Sequence, residues 1–269
     1  MGTISEVRVR VPGSSANLGP GFDSLGLALG LYDDVEVSVA PDGVVVEVLG
    51  EGAGQVPCDD AHLVVQAMRR TWDLVGDAPP GIRMRCRNAI PHSRGLGSSA
   101  AAAVAGAVAA VALSGRDMEL ERETLLQVTA GMEGHADNAA ASLLGGFVVA
   151  WETNGNFSRR FHAVRLDAHP GIHPVALVAG VESLTSTTRG LLPATEDRLH
   201  QEYRRPAYPD SAELMDALRA RGVPAAISGA GPTVLALTAD GGLPADVDLH
   251  GFTALPLPVD TEGARVELG

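Results

Sequence analysis

The most constraining feature is residues 100–113, fourteen consecutive apolar positions made of alanine, valine, glycine and leucine. Alanine has the highest helix propensity of any residue, and a segment apolar on every side is a helix enclosed by the rest of the fold. It is too short and too weakly apolar to span a bilayer, which takes ~20 apolar residues. Around it, alternation predicts a strand over 7–11 that stops at Pro12-Gly13. Strands follow over 34–39 and 44–49, with Pro41-Asp42-Gly43 as the turn between them. An amphipathic helix is expected over 61–75, a strand over 82–86, a helix over 119–132 and a strand over 147–151. A second set begins after Phe161: a strand over 175–178, a helix over 211–221, and strands over 225–228 and 233–238. Mixed strands and helices with early hairpins argue an α+β fold. A chain of 269 residues has room for two modest domains. The polar string Thr153-Asn154-Gly155-Asn156 sets the expected division into 1–157 and 158–269.

Charge excludes several classes of function. The formal net charge is −13, so nucleic acid is not expected as a partner, because duplex binding draws most of its affinity from cations on phosphates. All 20 basic residues are arginine. Without a lysine the chain is not a Walker-type P-loop NTPase, a protein kinase or a pyridoxal enzyme. Cys58 and Cys86 are the only cysteines and form no metal-ligand spacing, which suits a reducing compartment. The start, MGTISEVRVRVPG, has no apolar signal-peptide core, so a cytoplasmic protein with no membrane partner is expected.

The strongest chemical signal is Pro91-His92-Ser93-Arg94-Gly95-Leu96-Gly97-Ser98-Ser99-Ala100, between a predicted strand and the apolar helix. Gly95 and Gly97 can take positive φ and expose their amides. Ser98 and Ser99 add hydroxyls, and the helix start adds unsatisfied N–H groups with a partial positive charge. Together they form a polyphosphate cradle that needs no lysine. A serine-capped helix after a glycine turn would use the same short GxGSS string; the full ten residues in strand-loop-helix context are more specific.

This string resembles the phosphate loop of the GHMP kinases. VPGSSANLGPGFDSLG (residues 11–26) and EGHADN (residues 133–138) resemble strings of the homoserine kinases within that superfamily, and AISGAGPT (residues 226–233) resembles the superfamily's C-terminal glycine motif. The match runs from about residue 7 to about 238. It implies an N-terminal nucleotide-binding βαβ domain, a C-terminal ferredoxin-like α/β-plait domain, ATP and Mg²⁺, L-homoserine as acceptor, and a homodimer. Residues 91–100 would hold the triphosphate, with residues 228–233 as a tight turn behind them.

Asn17 and Asp23 offer an amide and a carboxylate for a small amine and hydroxyl, although a polar turn capped by Asp23 would look the same in sequence. The resemblance implies that both line the homoserine pocket. Glu133 ends a predicted helix, where the dipole disfavours a carboxylate, so it either faces solvent or meets a cation. The resemblance implies Mg²⁺, with a Ser98 or Ser99 hydroxyl beside it, Ser99 being chosen. Asn17, Ser98, Ser99 and Glu133 would then surround the reacting centre. His135 and Asn138 are expected a helical turn apart facing substrate, with a structural role the alternative for His135. Arg189, in TSTTRGLLP, is first choice for the substrate carboxylate and Arg204, in DRLHQEYR, second; each would otherwise be a surface arginine.

Only Ala194-Thr195-Glu196 separate these last two strings, where the resemblance implies roughly forty more residues, beyond an ordinary short connection. That departure bears on Arg204. Other GHMP kinases, acting on a mevalonate-like acid or a sugar, and a non-catalytic ligand sensor are the competing functions.

Overall fold

The computed structural model describes residues 4–19, 21–155, 159–179, 205–249 and 251–269. Two sheets organise them. The larger has seven strands. β11 (Arg265–Leu268), β1 (Glu6–Asn17), β2 (Gly21–Ala40), β4 (Gly81–Asn88) and β3 (Gly43–Gly50) run in that order, and β5 (Phe147–Asn154) branches from β2 to carry β6 (Arg159–Leu166). The smaller has the antiparallel order β10 (Thr253–Pro256), β7 (His173–Val178), β9 (Val234–Thr238), β8 (Ala225–Ile227).

Four helices, α1 (Leu63–Val75), α2 (Ser98–Leu113), α3 (Arg122–Glu133) and α4 (Asp137–Leu144), pack against the larger sheet, and α5 (Pro209–Ala220) packs with β8 and β9. The opposite face of β1, β2, β4 and β3 is open and carries ion pairs, Arg10–Asp34 and Arg85–Glu47 among them. α2 is buried on all sides as expected. Its small side chains admit close neighbours: a Cβ on Gly106 would lie 2.2 Å from the Val64 carbonyl oxygen of α1.

Two expectations change. β1 does not stop at Pro12-Gly13 but continues to Asn17, because a register shift between those residues absorbs the missing proline N–H. Much of the Gly- and Ser-rich stretch is therefore buried strand, with Ser14 and Ser15 fully enclosed. β2 and β3 are joined by the expected turn but are not paired: β4 lies between them, antiparallel to β2 and parallel to β3, with α1 making the crossover. The turn passes over the start of β4, where a Cβ on Gly81 would sit 2.2 Å from the Asp42 carbonyl carbon. Only glycine lets the strand slot in there. β6 and the terminal β11 both join the larger sheet. No helix among the described residues is long and apolar enough to cross a membrane.

Candidate active site

The segment from β4 to α2 turns through two left-handed glycines, Gly95 (φ 77°) and Gly97 (φ 68°). Both positions also lack room. A Cβ on Gly97 would lie 2.3 Å from Ser14 Oγ, and one on Gly95 would lie 2.1 Å from the Ser228 carbonyl oxygen. Residues 228–233 close behind this loop, as the sequence predicts. Ser228 Oγ donates to the Gly95 carbonyl (2.6 Å), Thr233 N to that of Arg94 (3.3 Å) and Gly229 N to that of Ala16 (3.2 Å). Gly97, the N-cap of α2, has no side chain to satisfy the first amides of the helix, so they stay available to an anion.

In front of the loop is a cleft of ≈ 530 Å³. Ser93, Gly95, Gly97, Ser98 and Ser99 form one wall; Asn17, Asp23, Glu133, His135 and Asn138 line the rest. Ser99 Oγ donates to Glu133 Oε2 at 2.8 Å, bringing the end of α3 to the start of α2. Burial raises the Glu133 carboxyl, opposed by that hydrogen bond and by His135. One carboxylate and one hydroxyl at an anion-binding helix start fit the habit of Mg²⁺, which takes one or two carboxylates together with phosphate oxygens and water.

On the other side, Asn17 is bound at both ends: its Nδ2 donates to the Gly229 carbonyl (3.2 Å) and its Oδ1 accepts from Asp23 N (3.0 Å). It staples the C-terminal turn to the N-terminal loop and keeps one N–H for a ligand. Burial also raises the Asp23 carboxyl, with the negative Asp137 adding to it. The Asn138 Oδ1 accepts from Ser14 Oγ (3.0 Å), which leaves its amide nitrogen as a donor. His135 Nδ1 lies 2.5 Å from Asp137 Oδ1, and that hydrogen bond raises the imidazole pKa. Asp137 was not singled out in sequence; its place two residues after His135 was the available signal.

The remaining expected residues are placed as follows. Leu96 and Ala100 are buried inward, His92 faces a neighbouring cavity, Arg94 Nε donates to the Ala179 carbonyl, and Pro91 is half-buried outside the cleft wall. His135 precedes α4 rather than lying on it, yet reaches the cleft with Asn138. Arg189 and Arg204 lie outside the described residues.

A second cavity of ≈ 250 Å³ shares Ser93, Ser98 and Ser99 with the cleft and went unread in sequence, because its walls come from β1, β2, α1 and α2. Val11, Val35, Val64 and Ala102 make it largely apolar. His62 caps α1, its Nδ1 accepting from Val64 N (3.3 Å), so the ring proton sits on Nε2. Asp33, 4% exposed, accepts from Ala89 N (2.7 Å) and Ile90 N (2.9 Å) through Oδ1 alone.

Burial pushes the Asp33 carboxyl up to about 6, although the two amides pull it down. A carboxyl that binds its proton more tightly when folded favours the folded state most in acid, and that advantage is lost as pH rises from about 4 through about 6. Asp33→Asn keeps an oxygen for the two amides and never ionises. Its folding free energy is expected to gain on the parent's by up to about 3 kcal/mol across that window. Denaturant unfolding at pH 4 and pH 7.5 measures this; the same difference at both would refute it.

Residues 62–146 match the family model described as GHMP kinases N terminal domain, and residues 186–247 match GHMP kinases C terminal. A homoserine kinase of Streptomyces avermitilis is 46% identical over 294 aligned positions, covering 97% of this chain and 95% of that protein. The chain belongs to the homoserine kinase family of GHMP kinases. Another relative, the homoserine kinase of Mycolicibacterium vanbaalenii, is 48% identical over 90% of this chain and 87% of its own. Among solved structures, the homoserine kinase of Cytophaga hutchinsonii shares the fold with a TM-score of 0.79 at 22% identity, covering 99% of each chain. The putative homoserine kinase of Listeria monocytogenes gives 0.70 at 26%, covering 98% of this chain and 99% of that one. This family member thus has the two-domain α+β architecture expected of it. The first alignment is longer than the chain's own 269 residues, so that relative carries residues this one lacks.

Proposed function

We propose that the protein transfers the γ-phosphoryl group of ATP to the hydroxyl of L-homoserine, giving O-phospho-L-homoserine for threonine biosynthesis. The observation that carries this is the Ser99–Glu133 contact where the free amides of α2 meet a cleft lined by Asp23 and Asn138. The α2 amides and the Ser98 and Ser99 hydroxyls would hold the triphosphate. The smaller apolar cavity beside them suits one flat ring system, being below the ~300–1,000 Å³ that holds a whole drug-sized ligand. Ser99 and Glu133 would hold Mg²⁺, which when bound neutralises charge on the phosphates. Asp23 would take the ammonium, and the Asn138 amide nitrogen and Asn17 would aim the hydroxyl. Arg189 and Arg204 are proposed for the substrate carboxylate from their sequence strings. The cytoplasmic setting and the homodimer belong to the same proposal and rest on family membership.

The test is a coupled ADP-release assay with L-homoserine, L-threonine, mevalonate and galactose. Turnover is expected with homoserine; turnover with another acceptor, or with none, would reject the assignment.

Phosphoryl transfer through a loose transition state is mostly positioning and charge neutralisation. A chain without lysine has no Asp–Lys pair to activate the hydroxyl. His135 has its pKa raised by the hydrogen bond to Asp137, the direction that disfavours it as a proton acceptor. The kcat–pH profile is therefore expected to lack a catalytic-base limb, that is, a fall in rate toward acid owed to one residue. A limb that disappears in a single variant such as His135→Gln would show otherwise.

A further inference from the structure

We propose that Ser14 and Ser142 are positioning residues for the reaction: their hydroxyls form a buried relay that holds the Asn138 side chain with its amide nitrogen toward the acceptor. The inference rests on Asn138 facing the substrate and concerns what keeps it there. Both serines are fully enclosed, Ser14 on β1 and Ser142 on α4. Ser142 comes four residues after Asn138, so the two side chains leave the helix on one face. Ser142 Oγ donates to Ser14 Oγ (3.2 Å), which donates to Asn138 Oδ1 (3.0 Å). The Asn138 backbone carbonyl is a second acceptor within reach of Ser14 Oγ, at 3.3 Å. With the amide turned over, the Ser14 proton would fall back on that longer contact, or point at Ser142 and displace the proton it now accepts. The relay therefore favours one orientation.

Ser14 also touches the phosphate loop. Its N–H donates to the Leu96 carbonyl (3.0 Å), and a Cβ on Gly97 would lie 2.3 Å from Ser14 Oγ and 2.9 Å from Asn138 Oδ1. Gly97 thus packs on the junction of the two side chains. The amide that meets the acceptor and the loop that meets the phosphates are set from one point. Neither serine is among the residues that line the cleft, so both act through Asn138. Neither hydroxyl is needed to fill space, because alanine occupies nearly the same volume and brings no polar atom to satisfy. A fully buried serine pair where alanine would pack has another use, and directing one amide through a satisfied hydrogen-bond network is such a use.

A double-mutant cycle separates this role from a structural one. Ser14→Ala is expected to lower kcat/KM for homoserine about 10-fold and Ser142→Ala about 3-fold. In each, KM for ATP should stay within about twofold of the parent's, since the Ser14 amide still holds the Leu96 carbonyl. In an Asn138→Ala background both serine substitutions should cost less than about twofold, because the group they act on is gone. A general loosening of the phosphate loop would instead add to the Asn138→Ala loss and raise KM for ATP. NMR of the protein labelled with ¹⁵N-asparagine, with Asn138→Ala assigning the signal, reads the side-chain amide without any substrate. Its order parameter should approach that of rigid backbone, about 0.85, in the parent and fall below about 0.6 in Ser14→Ala. The measurement on the parent keeps the proposal open to refutation even if a variant folds poorly. Additive losses in the cycle, or an Asn138 amide already mobile in the parent, would overturn the proposal while homoserine turnover stands. A rigid amide that loosens in Ser14→Ala, without homoserine turnover, would uphold the relay and reject homoserine as the acceptor it serves.

Discussion

Glu133→Gln is expected to lower kcat for homoserine phosphorylation by about 10²–10³-fold, the usual cost of removing one group that stabilises transition-state charge. The glutamine carbonyl still accepts from Ser99 Oγ, so the contact between α2 and α3 survives and only the charge is lost. Glu133 is half-buried at the C-terminal end of α3, where the helix dipole opposes a negative charge and burial raises the carboxyl. A chain that keeps a carboxylate there has a use for it. Steady-state kinetics with Mg²⁺ titration, together with a melting curve, separate loss of function from loss of fold. The melting temperature should barely move while the Mg²⁺ requirement rises. A variant within tenfold of the parent would remove Glu133 from the reacting centre.

Gly95→Ala is expected to damage both the site and the fold. Positive φ costs an L-residue roughly 1–2 kcal/mol, and here the added carbon would also lie 2.1 Å from the Ser228 carbonyl oxygen and 2.9 Å from Gly231 N. Neither neighbour is the end of a flexible side chain, so the phosphate loop and the 228–233 turn must part. They would lose the Ser228–Gly95 hydrogen bond in doing so. A stability loss of about 2–4 kcal/mol and at least about 10²-fold lower activity follow. Gly54→Ala is the control: its φ is 73°, but nothing lies within 4 Å of the added carbon. Denaturant midpoints of the two variants isolate the collision from the backbone strain. Equal losses would mean that the loops are not in close contact.

The parts legible in the sequence share a physical character. Helix α2, the two left-handed glycines after β4 and the turn at 228–233 follow from side-chain size and backbone freedom, which each residue carries wherever it sits. Asn17, Asp23, Glu133, His135 and Asn138 could be named because the strings that hold them are short and resemble those of a known family. Their assembly into one cleft is a finding of the fold. Alternation identified strand segments at 34–39 and 44–49 but could not show that β4 would come between them. The residue that permits it, Gly81, lies beyond helix α1, which follows both strands in the chain. Strands β6, β10 and β11 also escaped notice, being short or amphipathic pieces held by partners distant in sequence.

By itself the sequence determined that the protein has an enclosed alanine helix entered through a glycine-rich anion loop, and that its chemistry proceeds without lysine. Those are properties of composition and of local conformation. Tertiary structure alone decided that Asp33 is buried, that its Oδ1 holds the amides of Ala89 and Ile90, and that Ser99 meets Glu133. Desolvation and hydrogen-bond partnership depend on segments brought together by folding, and no window of the chain contains them.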